Sequence, residues 1–144
     1  MLDPTIPDPT TLDAQLLDPK IKELAQGRNF GTVCVHLPDG TIASHVMWLD
    51  ASDEHLLINT EVHRAKYRAV NANPSVTVTV WDQENPYRYG EVRGRVVGET
   101  RGPEARAHID TLSNKYKGID YQTPIQSERV ILRITPERQR SKGL

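Results

Sequence analysis

The sequence predicts a mainly-β protein of the α+β class, an antiparallel barrel of about six strands with short flanking helices. The clearest strand, SVTVTVWD at residues 75–82, alternates valine with threonine, which is typical of a strand with one buried face. Residues 30–37 and 41–49 flank the turn signal PDG and therefore predict a β-hairpin. Short turns between most of the strands favour antiparallel pairing.

The helices and the other strands follow in chain order. Asp18 precedes PKIKELAQG, in which Pro19 suits the first helical position and Gly27 the stop. A second helix of about ten residues follows residue 60 and has to end before Pro74. The third, GPEARAHIDTLSNKYKG at 102–118, carries apolar residues at helical spacing. The predicted strands are 30–37, 41–49, 54–60, 75–82, 87–100 and 128–135.

Length and composition fit one domain with a substantial core. Residues 1–17 contain three prolines and predict an N-terminal arm, and residues 18–144 predict a single barrel domain. We see neither a signal peptide nor a run of about 18 apolar residues that would span a membrane. Cys34 is the only cysteine, which excludes an intramolecular disulfide and suits a cytoplasmic location.

Charge is spread unevenly along the chain. Residues 1–60 hold 9 acids and 3 Lys or Arg, whereas residues 61–144 hold 10 acids and 15 Lys or Arg. The overall charge of −1 argues against a nucleic-acid-binding protein and leaves a local site for a small anion open. The histidines lack metal-ligand spacing, so we predict no metal site. No GxGxxG, P-loop or GxSxG motif occurs.

A cluster of cations marks the start of the second helix. In TEVHRAKYRAVNANP, residues 60–74, Arg64, Lys66 and Arg68 lie beside the positive end of the helix dipole. Asn59 and Thr60 can cap this helix. The backbone amides of its first turn, together with Arg64 and Lys66, predict a phosphate site. Arg64 and Lys66 diverge by about 200° on one helix, so they meet only if Arg64 belongs to the entering turn. A solvated basic face is the alternative.

The stretch HRAKYRAVNANP resembles a motif of the split β-barrel flavin and deazaflavin oxidoreductases, the group that includes pyridoxamine 5′-phosphate oxidase. Its closest resemblance is to the actinobacterial branch that uses coenzyme F420, a deazaflavin. The order of elements matches this family from about residue 18 to 135. The resemblance implies that the RAK residues Arg64, Ala65 and Lys66 hold the cofactor phosphate.

The same resemblance implies the rest of the site. SHVMW on the second strand would lie along the deazaflavin ring, and PYRYG of a second subunit would cover it in a homodimer with the cofactor at the interface. The bulky Met47 and Trp48 leave the acceptor undetermined. The residues added by these two stretches are Ser44, His45, Val46, Met47, Trp48, Tyr87, Arg88 and Tyr89.

The expected activity is hydride transfer from reduced F420 to a small organic acceptor, with the hydride chemistry residing in the cofactor. FMN-dependent chemistry on the same fold and a non-catalytic F420-binding protein remain alternatives. Tyr89, His45 or a bound water could deliver the accompanying proton, but packing or a cofactor contact is the better explanation for each, so no residue is assigned as catalytic.

Overall fold

The computed structural model describes residues 16–144, which form one antiparallel sheet of seven strands flanked by three helices. The mainly-β antiparallel prediction is confirmed, with one strand more than expected. The helices are α1 (Pro19–Gln26), α2 (Ala65–Ala72) and α3 (Pro103–Lys117). The strands are β1 (Phe30–His36), β2 (Ile42–Trp48), β3 (Asp50–Ala51), β4 (Leu56–Glu61), β5 (Ser75–Trp81), β6 (Tyr89–Arg101) and β7 (Arg129–Lys142).

The core lies inside the curved sheet. Valines of β5 alternate inward with threonines outward, as the sequence predicts, and Val33 and Val35 of β1 face them. Leu56 and Ile58 of β4 complete the interior from the far side of the sheet. The predicted arm at residues 1–17 lies outside the described residues except for its last two, of which Leu17 is buried.

Helix α1 begins and ends where the sequence predicts. The Asp18 side chain accepts a hydrogen bond from the Lys20 amide at 2.8 Å, Pro19 occupies the first helical position and Gly27 follows the last turn. Its apolar face, including Ile21, closes one end of the core. Among residues 16–144, none of the helices combines the length and the apolar character needed to cross a membrane.

Strand β7 is longer than the sequence predicts, because its polar half continues to pair with β6 up to Lys142. The ladder shifts register at Gly94, opposite Pro136. A Cβ on Gly94 would lie 2.1 Å from the Thr135 carbonyl oxygen, so only glycine allows the strands to approach there. The bulge accommodates Pro136, the residue before which the sequence predicts the strand to end.

The sheet order is β2-β1-β5-β6-β7-β4-β3, which leaves β2 and β3 as its edges. The sheet curls until β2 approaches β4, without a hydrogen-bonded ladder between them. The start of α2 lies at this seam, where the Lys66 Nζ donates to Met47 Sδ at 3.0 Å. The seam is the position of the candidate site.

Candidate functional site

A cleft of about 270 Å³ opens at the seam between β2 and the start of α2. One end is cationic and polar, and the other is aromatic and aliphatic. Of the predicted residues, this cleft gathers Val46, Met47, Trp48, Asn59, Arg64 and Lys66. The lining residues that sequence reasoning missed are Phe30, Ile109, Leu112, Tyr121 and Arg129.

The two cations of the RAK motif converge because Arg64 precedes the helix. Its backbone is extended, with φ −75° and ψ 148°, and Ala65 is the first helical residue. The geometric condition for Arg64 and Lys66 to meet is therefore fulfilled. The predicted caps are wrong: Asn59 and Thr60 lie within β4, and no side chain of residues 16–144 caps α2. Strand pairing with β7 holds both residues away from the helix end.

Lys66 is the least ordinary group of the cleft, since only 8% of it is exposed. Burial, followed by the charges of Arg64 and Arg129, lowers the pKa of Lys66 to about 8. Its Nζ contacts the Met47 thioether, and no carboxylate within residues 16–144 forms an ion pair with it. A buried ammonium with so weak an acceptor is poised to bind an anion.

Arg129 is the third cation of the cleft, and sequence reasoning did not select it. Arg68 is exposed on α2 and does not line the cleft. Arg129 begins β7, is 4% exposed, and donates from Nε to Asn59 Oδ1 at 2.8 Å. The signal in the sequence that could have identified Arg129 is a charged residue at the start of an apolar strand. Its position opposite Glu61 requires the β4–β7 register, which the sequence does not display.

Glu61 is the acid that partly balances these cations. One carboxylate oxygen lies 3.5 Å from Arg64 and 3.5 Å from Arg129, while the other accepts 2.8 Å bonds from the amides of Gln126 and Ser127. Burial favours its protonation, but those two amides and the two guanidinium groups outweigh it and lower the pKa of Glu61. Arg64 and Arg129 therefore share this carboxylate while Lys66 has no ion pair within residues 16–144, which leaves an excess positive charge in the cleft.

Aromatic side chains form the opposite end of the cleft. Trp48 stacks on Tyr116 with ring centroids 5.3 Å apart, and Tyr121 meets Trp48 edge-on at 6.2 Å. The Tyr116 hydroxyl accepts from the Leu49 amide at 3.0 Å and donates to the Asn29 carbonyl at 2.5 Å. Burial raises the pKa of Tyr116 to about 12, so this hydroxyl stays protonated and anchors α3 against β2.

Other predicted residues lie beside the cleft rather than in it. Ser44 is exposed further along β2, where its hydroxyl lies 3.5 Å from the Cys34 thiol. Partial burial, followed by the charge of Lys66, lowers the pKa of His45. Thr60 is buried in the barrel core, and Ala65 is exposed at the start of α2.

The PYRYG residues do not line the cleft of their own chain. Tyr87 is 76% exposed on the turn before β6, and Tyr89 begins that strand. Arg88 pairs with Asp82, and its Nε donates to the Gly143 carbonyl at 3.1 Å. Within one chain, these residues and the RAK motif do not meet.

Comparisons with known proteins extend these findings. A family model described as pyridoxamine 5′-phosphate oxidase matches residues 17–143. A solved structure named F420 reductase is 32% identical, with a TM-score of 0.75 over 86% of this chain and 98% of that chain. No curated protein sequence matches significantly.

Two further solved structures share the fold at lower identity. A conserved hypothetical protein from Mycobacterium tuberculosis is 21% identical, with a TM-score of 0.69 over 90% of this chain and 87% of that one. An FAD-binding protein from Mesorhizobium loti is 20% identical, with a TM-score of 0.59 over 86% of this chain and 93% of that one. The chain belongs to the pyridoxamine 5′-phosphate oxidase family of split-barrel flavin and deazaflavin oxidoreductases.

Proposed function

We propose that this protein is an F420-dependent reductase that transfers hydride from the reduced deazaflavin to a small organic acceptor. The observation that carries the proposal is the convergence of Arg64, Lys66 and Arg129 on one cleft beside the carboxylate of Glu61. The similarity to a structure named F420 reductase supports the choice of cofactor within the family.

The cationic end of the cleft fits a phosphate. Two guanidinium groups offer planar pairs of donors, and the Lys66 ammonium adds a compact charge to the same cleft. The first amides of α2, at Ala65 and Lys66, have no acceptor inside the helix and add donors of the same sign. In this proposal Arg64, Ala65, Lys66 and Arg129 hold the phosphate.

The ring system is proposed to lie along β2, over the stretch from Ser44 to Trp48. When bound, the cofactor supplies the hydride chemistry. The residues of the chain orient it and exclude water, with Val46 and Met47 toward the seam and Trp48 at the aromatic end. Asn59 acts through Arg129 rather than on the ligand. The proton donor stays unassigned among His45, Tyr89 and water.

We also propose that two chains form a dimer in which Tyr87, Arg88 and Tyr89 of one cover the cleft of the other. Val46 lines the cleft and is 65% exposed, and Tyr87 is 76% exposed outside the cleft, so both offer apolar surface to a second copy. Tyrosine is enriched at such interfaces because its ring buries area and its hydroxyl stays hydrogen-bonded.

F420 and FMN, the alternative cofactor, differ in a way that calorimetry detects. F420 carries a long anionic tail beyond its phosphate, which the cationic cleft and the nearby Arg68 would attract. We expect tighter binding of F420 than of FMN at low salt, with the gap narrowing as salt rises. Equal or tighter binding of FMN at both salt concentrations would assign the protein to flavin chemistry.

Turnover separates a reductase from a carrier. Reduced F420 is mixed with the protein and a panel of electrophilic alkenes and quinones, and its reoxidation is followed by absorbance. Reoxidation that depends on both protein and acceptor supports the reductase. Tight binding without reoxidation for any acceptor would leave a non-catalytic F420-binding protein.

A further inference from the structure

A chain of hydrogen bonds connects the cationic cleft to the sheet edge at β3. Arg129 Nε donates to Asn59 Oδ1 at 2.8 Å. The Asn59 amide nitrogen lies 3.0 Å from the Ala105 carbonyl oxygen and 3.0 Å from His108 Nδ1. His108 Nε2 lies 2.9 Å from Asp50 Oδ2. Four side chains from β7, β4, α3 and β3 thus form one network.

The donors and acceptors of this network have only one consistent arrangement. A guanidinium group only donates, so Arg129 fixes the carbonyl oxygen of Asn59 toward itself. The Asn59 amide protons then face the Ala105 carbonyl and His108, and His108 Nδ1 has to accept. The remaining imidazole proton lies on Nε2 and points at the Asp50 carboxylate.

Asp50 is well placed to hold that tautomer. Burial favours protonation of the Asp50 carboxyl, but the hydrogen bonds from His108 and the Ala51 amide and the charge of Lys115 lower its pKa. The carboxylate therefore remains an acceptor for the Nε2 proton. Asp50 and His108 do not line the cleft, and their hydrogen-bonded connection to it runs through Asn59.

This network restrains the guanidinium group of Arg129, which lines the cleft. Arg129 has many rotamers to lose, and a group restrained before binding loses less entropy when the anion arrives. The other contacts of Arg129 are longer: its Nη1 atom is 3.5 Å from Glu61, and its guanidinium carbon lies 5.2 Å from the centre of the Tyr121 ring. The bond to Asn59 is the shortest of these restraints.

We propose that His108 is a positioning residue of the cleft: by accepting a hydrogen bond at Nδ1, it orients Asn59 and thereby fixes Arg129 for anion binding. Its effect on affinity rests on the proposed role of the cleft as a phosphate site. Its effect on Arg129 does not, which allows the two proposals to fail separately.

Two substitutions distinguish the two ends of the imidazole. His108→Asn places an amide oxygen near the position of Nδ1 and retains an acceptor for Asn59 while losing Asp50. His108→Gln reaches the position of Nε2 and retains a donor for Asp50 while losing the acceptor for Asn59. Both variants lose the same ring, so a merely structural role predicts the same behaviour for both.

The readouts are the NMR resonance of the Arg129 Nε–H group without ligand, assigned by its loss in Arg129→Lys, and the affinity for sulfate. We expect His108→Asn to leave the resonance and affinity near those of the unmodified protein. His108→Gln should shift or broaden the resonance and weaken sulfate binding roughly five-fold, the size of one hydrogen bond. Equal behaviour of the two variants would overturn the proposal. If the unmodified protein does not bind sulfate, the phosphate site fails, and the resonance alone decides the role of His108.

Discussion

The ammonium of Lys66 donates to the thioether of Met47 at 3.0 Å and so bridges the two sides of the open seam. Sulfur is a weak acceptor, and the ammonium is almost completely buried. The ligand-free protein therefore holds a charge whose lost hydration is poorly replaced. Such a group is unfavourable for folding and favourable for binding an anion, and this opposition leads to the first two predictions.

Replacing Lys66 with methionine should stabilise the ligand-free protein. The folded pKa of about 8 lies below the ordinary lysine value of 10.5, so the charged lysine opposes folding at neutral pH. We expect Lys66→Met to raise the free energy of unfolding at pH 7 by up to about 3 kcal/mol, measured by urea denaturation. Between pH 8 and 10.5 the unfolded state of the unmodified protein binds more protons than its folded state, so its stability rises with pH. The difference in free energy of unfolding between Lys66→Met and the unmodified protein should therefore narrow over this range. A less stable Lys66→Met protein at pH 7 would contradict this account.

The affinity for sulfate should depend on pH through the same lysine. Sulfate itself does not titrate in this range, and an anion binds the protonated form of Lys66. We expect constant affinity below about pH 8 and a loss approaching tenfold per pH unit well above it, measured by calorimetry. The Lys66→Met protein should bind weakly with no such dependence. A flat profile in the unmodified protein would show that Lys66 does not contact the anion.

Glu61→Gln should have effects opposite to those of Lys66→Met: the folded protein should become less stable and should bind sulfate more tightly. Removing the carboxylate increases the positive charge of the cleft, so sulfate should bind more tightly. Because the folded pKa of Glu61 is lowered, its contribution to stability is present above the ordinary glutamate pKa and is lost as pH falls through the folded value. We therefore expect a loss of about 1–3 kcal/mol at pH 7 that disappears in acid.

The matched control for this variant is Glu128→Gln. Glu128 pairs with Arg101 and its side chain is 46% exposed, so Glu128→Gln should change the free energy of unfolding and the affinity for sulfate only slightly. Weaker sulfate binding by Glu61→Gln, in a protein that remains folded, would contradict the excess positive charge assigned to the cleft.

The proposed dimer predicts complementation between two defective chains. Tyr87→Ala should weaken F420 binding even though Tyr87 does not line its own cleft, and Lys66→Met should weaken it directly. A mixed dimer, isolated with two different tags, contains one cleft with both intact contributions. We expect one high-affinity site per mixed dimer. A stable monomer in sedimentation at micromolar concentration, or no restored site, would contradict the proposal.

The sequence predicted the parts of the fold that depend on local signals. Alternation identified β5, and the Asp18–Pro19 pair with Gly27 bounded α1. The two-residue strand β3 has no periodicity to detect, and the polar half of β7 becomes a strand only because β6 lies beside it. Pairing of this kind is a tertiary effect that propensity does not encode.

The candidate site divides in the same way. Arg64 and Lys66 belong to one short motif, so sequence reasoning placed them correctly relative to each other. Arg129 lies more than sixty residues away and reaches the cleft through the β4–β7 register, where it faces Glu61. Arg68, the third cation of the cluster in the sequence, was not assigned to the site, and it is exposed on α2.

The most direct test of the central claim is a titration of F420 against three proteins: the unmodified chain, Lys66→Met and Arg68→Met. Both substitutions remove one cation from α2 and differ in whether it lines the cleft. We predict that Lys66→Met weakens F420 binding by roughly 1.5–3 kcal/mol, the range for a hydrogen bond to a charged group, and that Arg68→Met changes it much less. Unchanged affinity in a folded Lys66→Met protein would show that the cofactor phosphate does not contact Lys66 and that the cofactor binds elsewhere.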